Sequence, residues 1–414
     1  MQKFRKVRKV SLFVLADLLV AAMIAPAALT PSSVLAAAVP ASVLKNLTID
    51  GFSAHVPVHV FGSETTAPKG LTPDQIKTIY KLPKTGGSGT IAIVTAYDDK
   101  ALETDLAAFS TKFSLPACTV ANKCLEKHQM SATTGQSSDW VIETALDSEW
   151  AHAIAPNAKI LVVEAASDSG PALLKAIDYA RSRPDVVAVS MSWGGDEFKS
   201  ETANDSHFTA VAGGNPNVTF FAASGDDGTG ASWPAASPRV VSVGGTSITL
   251  KKDGSLSSEK AWSGSGGGIS AYESEPGFQV SYSIAKAKGK RAIPDVAWNA
   301  DPKSGYSVYH QAATTKTKKG WFVVGGTSAG SPQWAAIRSL GIDAVASSTA
   351  TTASSTPSGT SFLTKLYEDK ASAGNANFFR DITSGTNGDC GYYCTAQKHY
   401  DYVTGLGAPI TYKF

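Results

Sequence analysis

The chain reads as an α/β protein built on an open, doubly wound, mostly parallel sheet with helices on both faces. Apolar runs of strand length alternate with segments of helical spacing, and small Gly- and Ser-rich turns close several of the runs, where such a sheet carries its functional loops. With 414 residues and 43% hydrophobic content, the chain has the material for a large core.

The strands come first. "TIAIVTAY" (90–97), "KILVVEAA" (159–166), "DVVAVSMSW" (185–193) and "VTFFAAS" (218–224) are rich in Val and Ile and nearly unbroken, as buried parallel strands are. Between them, "SSDWVIETALDSEWAHAIAP" (137–156), "GPALLKAIDYARSR" (170–183) and "ETANDSHFTAVAGG" (201–214) have helical spacing, and Ala155-Pro156 stops the first. Further on come "RVVSVGGTSITL" (239–250), the loop "GSGGGIS" (264–270), "IPDVAWNADP" (293–302) and a helix beginning near Ser328. The glycines of 264–268 do not follow a strand and open a helix, so a nucleotide-binding reading fails. Residues 344–360, low-complexity Ser/Thr, read as a surface loop. No internal repeat is visible.

Five cations crowd the first nine residues ahead of an apolar run from Val10 to Ala28, and Val34-Leu35-Ala36 reads as a cleavage site. Residues 1–36 are therefore expected to be a secretory signal, with an uncleaved anchor as the alternative because of Asp17. Without them 32 basic side chains face 34 acidic ones, so no polybasic face argues for nucleic acid. Residues 37–69 form a short N-terminal extension and residues 70–414 the functional domain. Two close cysteine pairs, Cys118/Cys124 and Cys390/Cys394, suit local disulfides in an exported protein better than a zinc site, although four cysteines allow three connectivities.

The chemistry gathers in three short motifs. "GGTSAG" (325–330) places Ser328 at the start of a helix, where unsatisfied N–H groups can face a reacting carbonyl. A serine needs a base, and none of the seven histidines stands in a setting that supplies one. Glu143 and Asp147, spaced i, i+4 and surrounded by Ala, Leu and Ile, share a helix face. Buried together they would titrate as a unit, leaving one able to act as a general base while the other holds it. A solvated acidic face continued by Glu149 is the plainer reading. Asp226 in "SGDDG" (224–228) follows a strand end and, if protonated, could donate to an oxyanion. Its plainer reading is a turn. His152, offset by nine residues from Glu143, reads as structural.

In order and spacing "ETALD", "SMSWGG", "SGDDG" and "GGTSAGSP" resemble the sedolisins, serine-carboxyl peptidases with a subtilisin-like fold, from about Leu71 to the C-terminus. The resemblance implies Ser328 as nucleophile, Glu143 as base, Asp147 as its orienting partner and Asp226 as the oxyanion carboxylate. "SMSWGG" resembles the segment that pairs with substrate backbone, implying substrate contacts from Ser192, Trp193, Gly194 and Gly195. Trp193 reads equally well as a core aromatic. Residues 378–409 resemble the family's calcium site: Asp381 and Asp401 would supply side-chain oxygens, and Ile382, Gln397 and His399 carbonyls, for one Ca2+. Cys390 and Cys394 indicate that this loop has been rebuilt.

Two departures matter. The family's long N-terminal propeptide has only residues 37–69 in its place, and Thr95 stands where several acid-active relatives extend the Glu–Asp network, implying a less acidic optimum. The resulting expectation is a secreted, monomeric endopeptidase that acts on peptides or unfolded proteins in acid through an acyl-enzyme. Its rivals are an exported, catalytically inactive binding module and a Ser-His-Asp hydrolase on the same fold.

Overall fold

The computed structural model describes residues 49–132, 135–311, 319–347, 360–372 and 378–414. The signal expected over residues 1–36, and most of the Ser/Thr-rich loop, lie outside the described residues; residues 344–347 belong to a helix instead.

The strands up to residue 261 are β1 (His59–Thr65), β2 (Thr90–Ala96), β3 (Leu125–Gln129), β4 (Lys159–Ala165), β5 (Val186–Met191), β6 (Gly195–Asp196), β7 (Thr219–Ala223), β8 (Ser232–Trp233), β9 (Val240–Leu250) and β10 (Leu256–Ala261). The central sheet runs β10-β9-β7-β5-β2-β4-β3, with Val296–Asn299 also pairing to β9. All its pairings are parallel except β10 with β9. This is the expected subtilisin-like sheet, and β2, β5 and β7 are buried along their whole length, as their Val- and Ile-rich runs require. A smaller antiparallel sheet joins β1 to Gly320–Gly325 and Tyr306–His310.

One helix dictates the position of the site. Ser138–Ile154 is buried at every residue from Trp140 onward. It packs against β2 and β4 and against the Gly330–Ser347 and Leu102–Lys112 helices. A helix wrapped on all sides is normally apolar all round, yet this one carries Glu143, Asp147, Ser148, Glu149 and His152 into the interior. The solvated-face reading therefore fails, since Glu149 is itself fully buried and accepts the Tyr309 N–H at 3.1 Å. His152 bonds the Pro116 carbonyl at 2.8 Å, a structural role.

Two expectations change. Residues 201–214 form no α-helix: a 3-10 helix spans Glu201–Phe208, and the chain then turns through Gly213 and Gly214. Glu201 folds back to accept the Phe198 N–H at 2.8 Å, which ties down the start of the segment, and Asn204, Asp205 and Ser206 are weak helix formers. β3 was not anticipated, because "LEKHQ" is a half-exposed edge strand without an apolar run. Both cysteine pairs close locally, Cys118 with Cys124 and Cys390 with Cys394.

Carboxyl groups are buried well beyond the Glu143 helix. Burial, reinforced by Glu197, pushes the Glu201 carboxyl far up; burial, with Asp205 and Glu197 adding to it, pushes Glu273 up to about 8. A carboxyl whose folded pKa is raised contributes stability that is complete below its unfolded value, roughly 4.5, and is lost as pH rises through the folded value. Thermal unfolding followed by circular dichroism should therefore give its highest Tm near pH 4 and fall by several degrees as pH passes 8, and Glu201→Gln should flatten the decline. A Tm that rises from pH 4 to pH 8 would contradict this.

Candidate active site

Ser328 lies in the short turn Thr327–Ala329 that leads into the Gly330–Ser347 helix. The turn passes beneath Asp226 with no room to spare: a Cβ on Gly326, whose φ is +128°, would come within 2.6 Å of Asp226 Oδ2 and 2.1 Å of the Pro57 carbonyl oxygen. Glycine alone suits that conformation and that crowding. Ser328 Oγ donates to Glu143 Oε2 at 2.8 Å, and both residues are buried.

Behind Glu143 stands Asp147, one turn along the same helix and close enough for the two carboxyls to share a proton. Burial first, then the charge of Asp147, pushes the Glu143 carboxyl well up; burial also raises Asp147. Among the described residues no N–H or O–H reaches Glu143 Oε1 or Asp147 Oδ2. Two facing carboxyl oxygens without donors are satisfied by a proton held between them, which also removes one of two like charges from a dry interior.

Ser192 completes the constellation in a role the sequence did not suggest. Its hydroxyl donates to Asp147 Oδ1 at 2.8 Å and lies 3.1 Å from the Ser328 carbonyl oxygen. It thus joins the acid pair to the Ser328 turn, with its hydroxyl engaged inside the protein. The signal was present in "SMSWGG": a serine at the carboxyl end of a strand adjacent to the one beside the acidic helix. Trp193 also departs from its expected place. It is fully buried, with its indole N–H on the Val94 carbonyl at 3.0 Å, and is a core aromatic.

Asp226 reaches the site from the loop after β7. Its Oδ1 accepts the Thr327 N–H at 2.8 Å and the Thr327 hydroxyl at 2.7 Å, and its Oδ2 lies 3.1 Å from His59 Nε2. Burial raises the Asp226 carboxyl, opposed by His59, while the contact with Asp226 raises the His59 imidazole. The remaining histidines have other engagements: His128 stacks on Tyr179, His207 pairs with Asp178 and His310 lies beside Asp105. Thr95, which stands in place of the further carboxylate of acid-active relatives, bonds Thr144 at 2.8 Å, and Thr144 bonds the Trp140 carbonyl, so that branch ends on backbone.

The cleft beside the serine is filled by the chain itself. His55 exchanges two backbone hydrogen bonds with Gly194, at 3.0 and 3.1 Å. Phe52 packs on Trp233 and Phe198 and lies against Gly195, which pairs with Trp233 between β6 and β8. From His59 onward the segment continues as β1 along Gly320–Gly325. Between these anchors Pro57 sits at Gly326. A cavity of about 100 Å³ remains beside it, lined by His55, Pro57, Gly194, Ser224, Gly225 and Gly266 among others.

The expected calcium set does not fit a cation. Asp381 Oδ2 accepts the His399 N–H at 2.9 Å, and Asp401 Oδ2 the Gln397 N–H at 3.3 Å, so both carboxylates are engaged by the chain. Asp401 also accepts from the Val403 and Thr404 amides and the Thr404 hydroxyl. Ile382 is buried beside Asp381. A hard cation needs carboxylate oxygens that no other cation holds, and here the Lys370 ammonium already lies 3.3 Å from Asp381 Oδ1.

The sequence pattern of the subtilase family matches residues 132–383, more than half the chain. The chain belongs to the subtilase family, in its sedolisin group. It is 32% identical over 308 residues to kumamolisin of Bacillus sp. (strain MN-32), covering 66% of this chain and 52% of that protein. It is 26% identical over 386 residues to sedolisin of Pseudomonas sp. (strain 101), covering 82% of this chain and 60% of that one. The chain thus spans about half the length of the curated relatives it matches. Among solved structures, the Pseudomonas sedolisin (serine-carboxyl proteinase) complexed with two molecules of pseudo-iodotyrostatin superposes with a TM-score of 0.67 at 25% identity, over 83% of this chain and 96% of that one.

Ser192→Ala leaves one buried oxygen of this sedolisin-group acid pair without a donor, a loss of about 1–3 kcal/mol. We expect kcat to fall roughly tenfold or more at unchanged KM. The alkaline limb of the pH profile should move up, because the Ser192 hydroxyl favours ionised Asp147. An unaltered pH profile would reduce Ser192 to a packing residue.

Proposed function

We propose that the chain is a secreted serine-carboxyl peptidase that hydrolyses extended peptides or unfolded proteins through an acyl-enzyme on Ser328. The observation that carries this reading is the 2.8 Å hydrogen bond from Ser328 Oγ to a buried glutamate backed by a second carboxyl. The competent form has the shared proton on Asp147, donated to Glu143 Oε1, which leaves Oε2 free to take the serine proton as Oγ bonds to the peptide carbonyl carbon. Glu143 then returns that proton to the leaving amine as the C–N bond breaks. Water, deprotonated by the same carboxylate, releases the acyl group. Protonated Asp226 and the Ser328 backbone N–H stabilise the oxyanion in each half.

Acid dependence follows from this division of labour. Asp226 donates only while protonated, so the rate falls as pH rises through its raised pKa. Charged His59 holds Asp226 ionised, so the His59 contact opposes catalysis.

Substrate class is supported by the chain's own peptide. Residues 54–59 run extended through the cleft and pair with Gly194 as an added strand would. The Pro57 carbonyl and Asp226 Oδ2 crowd the same face of Gly326, where an oxyanion would form. In this conformation the cleft is closed to other peptides and opens when this segment leaves. Export rests on the basic and apolar residues 1–36, with the two disulfides in keeping. No nucleic-acid partner is invoked, and the chain is taken to act as a monomer.

Denatured casein incubated with the purified protein from pH 3 to pH 8 tests this reading. The wild type is expected to cleave it, fastest in acid, and to lose its own N-terminal segment by cutting within residues 54–59, as read by intact mass. Ser328→Ala should do neither. Absence of serine-dependent cleavage at every pH, with the segment removed by another protease, would favour an inactive binding module.

A further inference from the structure

We propose that the ammonium of Lys370 does the work of a bound divalent cation in the C-terminal lobe, so that the fold of this chain needs no calcium. Asp381 and Asp401 stand together in a loop that brings two carboxylates into a largely buried region, an arrangement that calls for a compensating positive charge. That charge is already supplied covalently. Lys370 projects from the Thr360–Ser372 helix, its side chain wholly shielded from solvent, and Nζ lies 3.3 Å from Asp381 Oδ1. The same ammonium donates to the Leu406 carbonyl and lies 5.6 Å from the Phe379 ring centroid. One side chain therefore ties the helix to the Phe379–Arg380 strand and to the loop that follows Asp401.

The other donors complete the replacement. Every oxygen of the two carboxylates accepts from the chain: Asp381 from Lys370 and His399, and Asp401 from Gln397, Val403 and Thr404. His399 adopts a left-handed φ of +71°, and its N–H points at Asp381. A divalent ion entering here would have to displace the ammonium from Asp381. The Cys390–Cys394 disulfide closes the preceding loop covalently, a second device that holds the lobe without metal.

Thermal unfolding of the full-length Ser328→Ala protein, which avoids self-cleavage, reads this directly. Its Tm is expected to stay within about 1 °C between excess EDTA and millimolar CaCl2, and the dialysed protein should carry well under one calcium per chain by elemental analysis. Adding Lys370→Met should lower the Tm in EDTA by several degrees, and calcium should restore part of the loss. A Tm that falls in EDTA while Lys370 is present, or one calcium per chain after dialysis, would overturn the proposal. So would a Lys370→Met protein as stable as its parent and indifferent to calcium. If Lys370→Met does not fold, the EDTA response and calcium content of the parent decide.

Discussion

Everything in the site depends on keeping two carboxyl groups dry. Glu143 and Asp147 lie on a helix enclosed by the sheet and by neighbouring helices, and in that setting two full negative charges cannot coexist at low cost. The pair is driven to retain one proton, and a retained proton is what allows the other oxygen of Glu143 to accept from a serine. An exposed pair would ionise fully in mild acid and neutral solution and would be too weak a base to act on a hydroxyl. Burial, usually a cost to an acidic residue, is the source of the chemistry in the proposed mechanism.

The rest of the architecture serves that constraint. β5 ends at Met191, which delivers Ser192 to the far side of Asp147 and Gly194 to the cleft. β7 ends at Ala223 and delivers Asp226 above the nucleophile turn. The parallel sheet thus brings Glu143, Ser192 with Gly194, and Asp226, the groups to which the proposed mechanism gives its roles, to one end from three separate stretches of chain. The chain's own residues 54–59 then lie across this assembly, with His59 on Asp226, the carboxyl to which the proposed mechanism gives the oxyanion.

Much of this was legible in the residues. The parallel strands announced themselves because strands buried on both faces need unbroken apolar runs. The acid pair was visible because i, i+4 spacing fixes a shared face whatever surrounds it. What surrounds it was not, and the depth of Glu149 and His152 depended on helices distant in sequence. The segment "FSAHVPVHV" gave no sign of its position, since its partners Gly194 and Gly325 lie far along the chain and backbone pairing leaves no mark on side-chain identity. The calcium expectation followed the acidic residues and overlooked Lys370, whose place on a helix before the loop cannot be inferred from spacing. Trp193 illustrates the limit at a single residue: one position beyond the serine that binds Asp147, its side chain turns the other way, into the core.

The central claim is that carboxyl groups, with no imidazole, move the proton of Ser328. It is tested most directly by the pre-steady-state rate of acyl-enzyme formation with a chromogenic peptide ester, after removal of residues 49–59, in wild type, Glu143→Gln and His59→Ala proteins. The account predicts a rate at least ~10³-fold lower for Glu143→Gln, in keeping with loss of a general base, and a rate near that of wild type for His59→Ala. Acylation at the wild-type rate by Glu143→Gln, or its disappearance in His59→Ala, would contradict it.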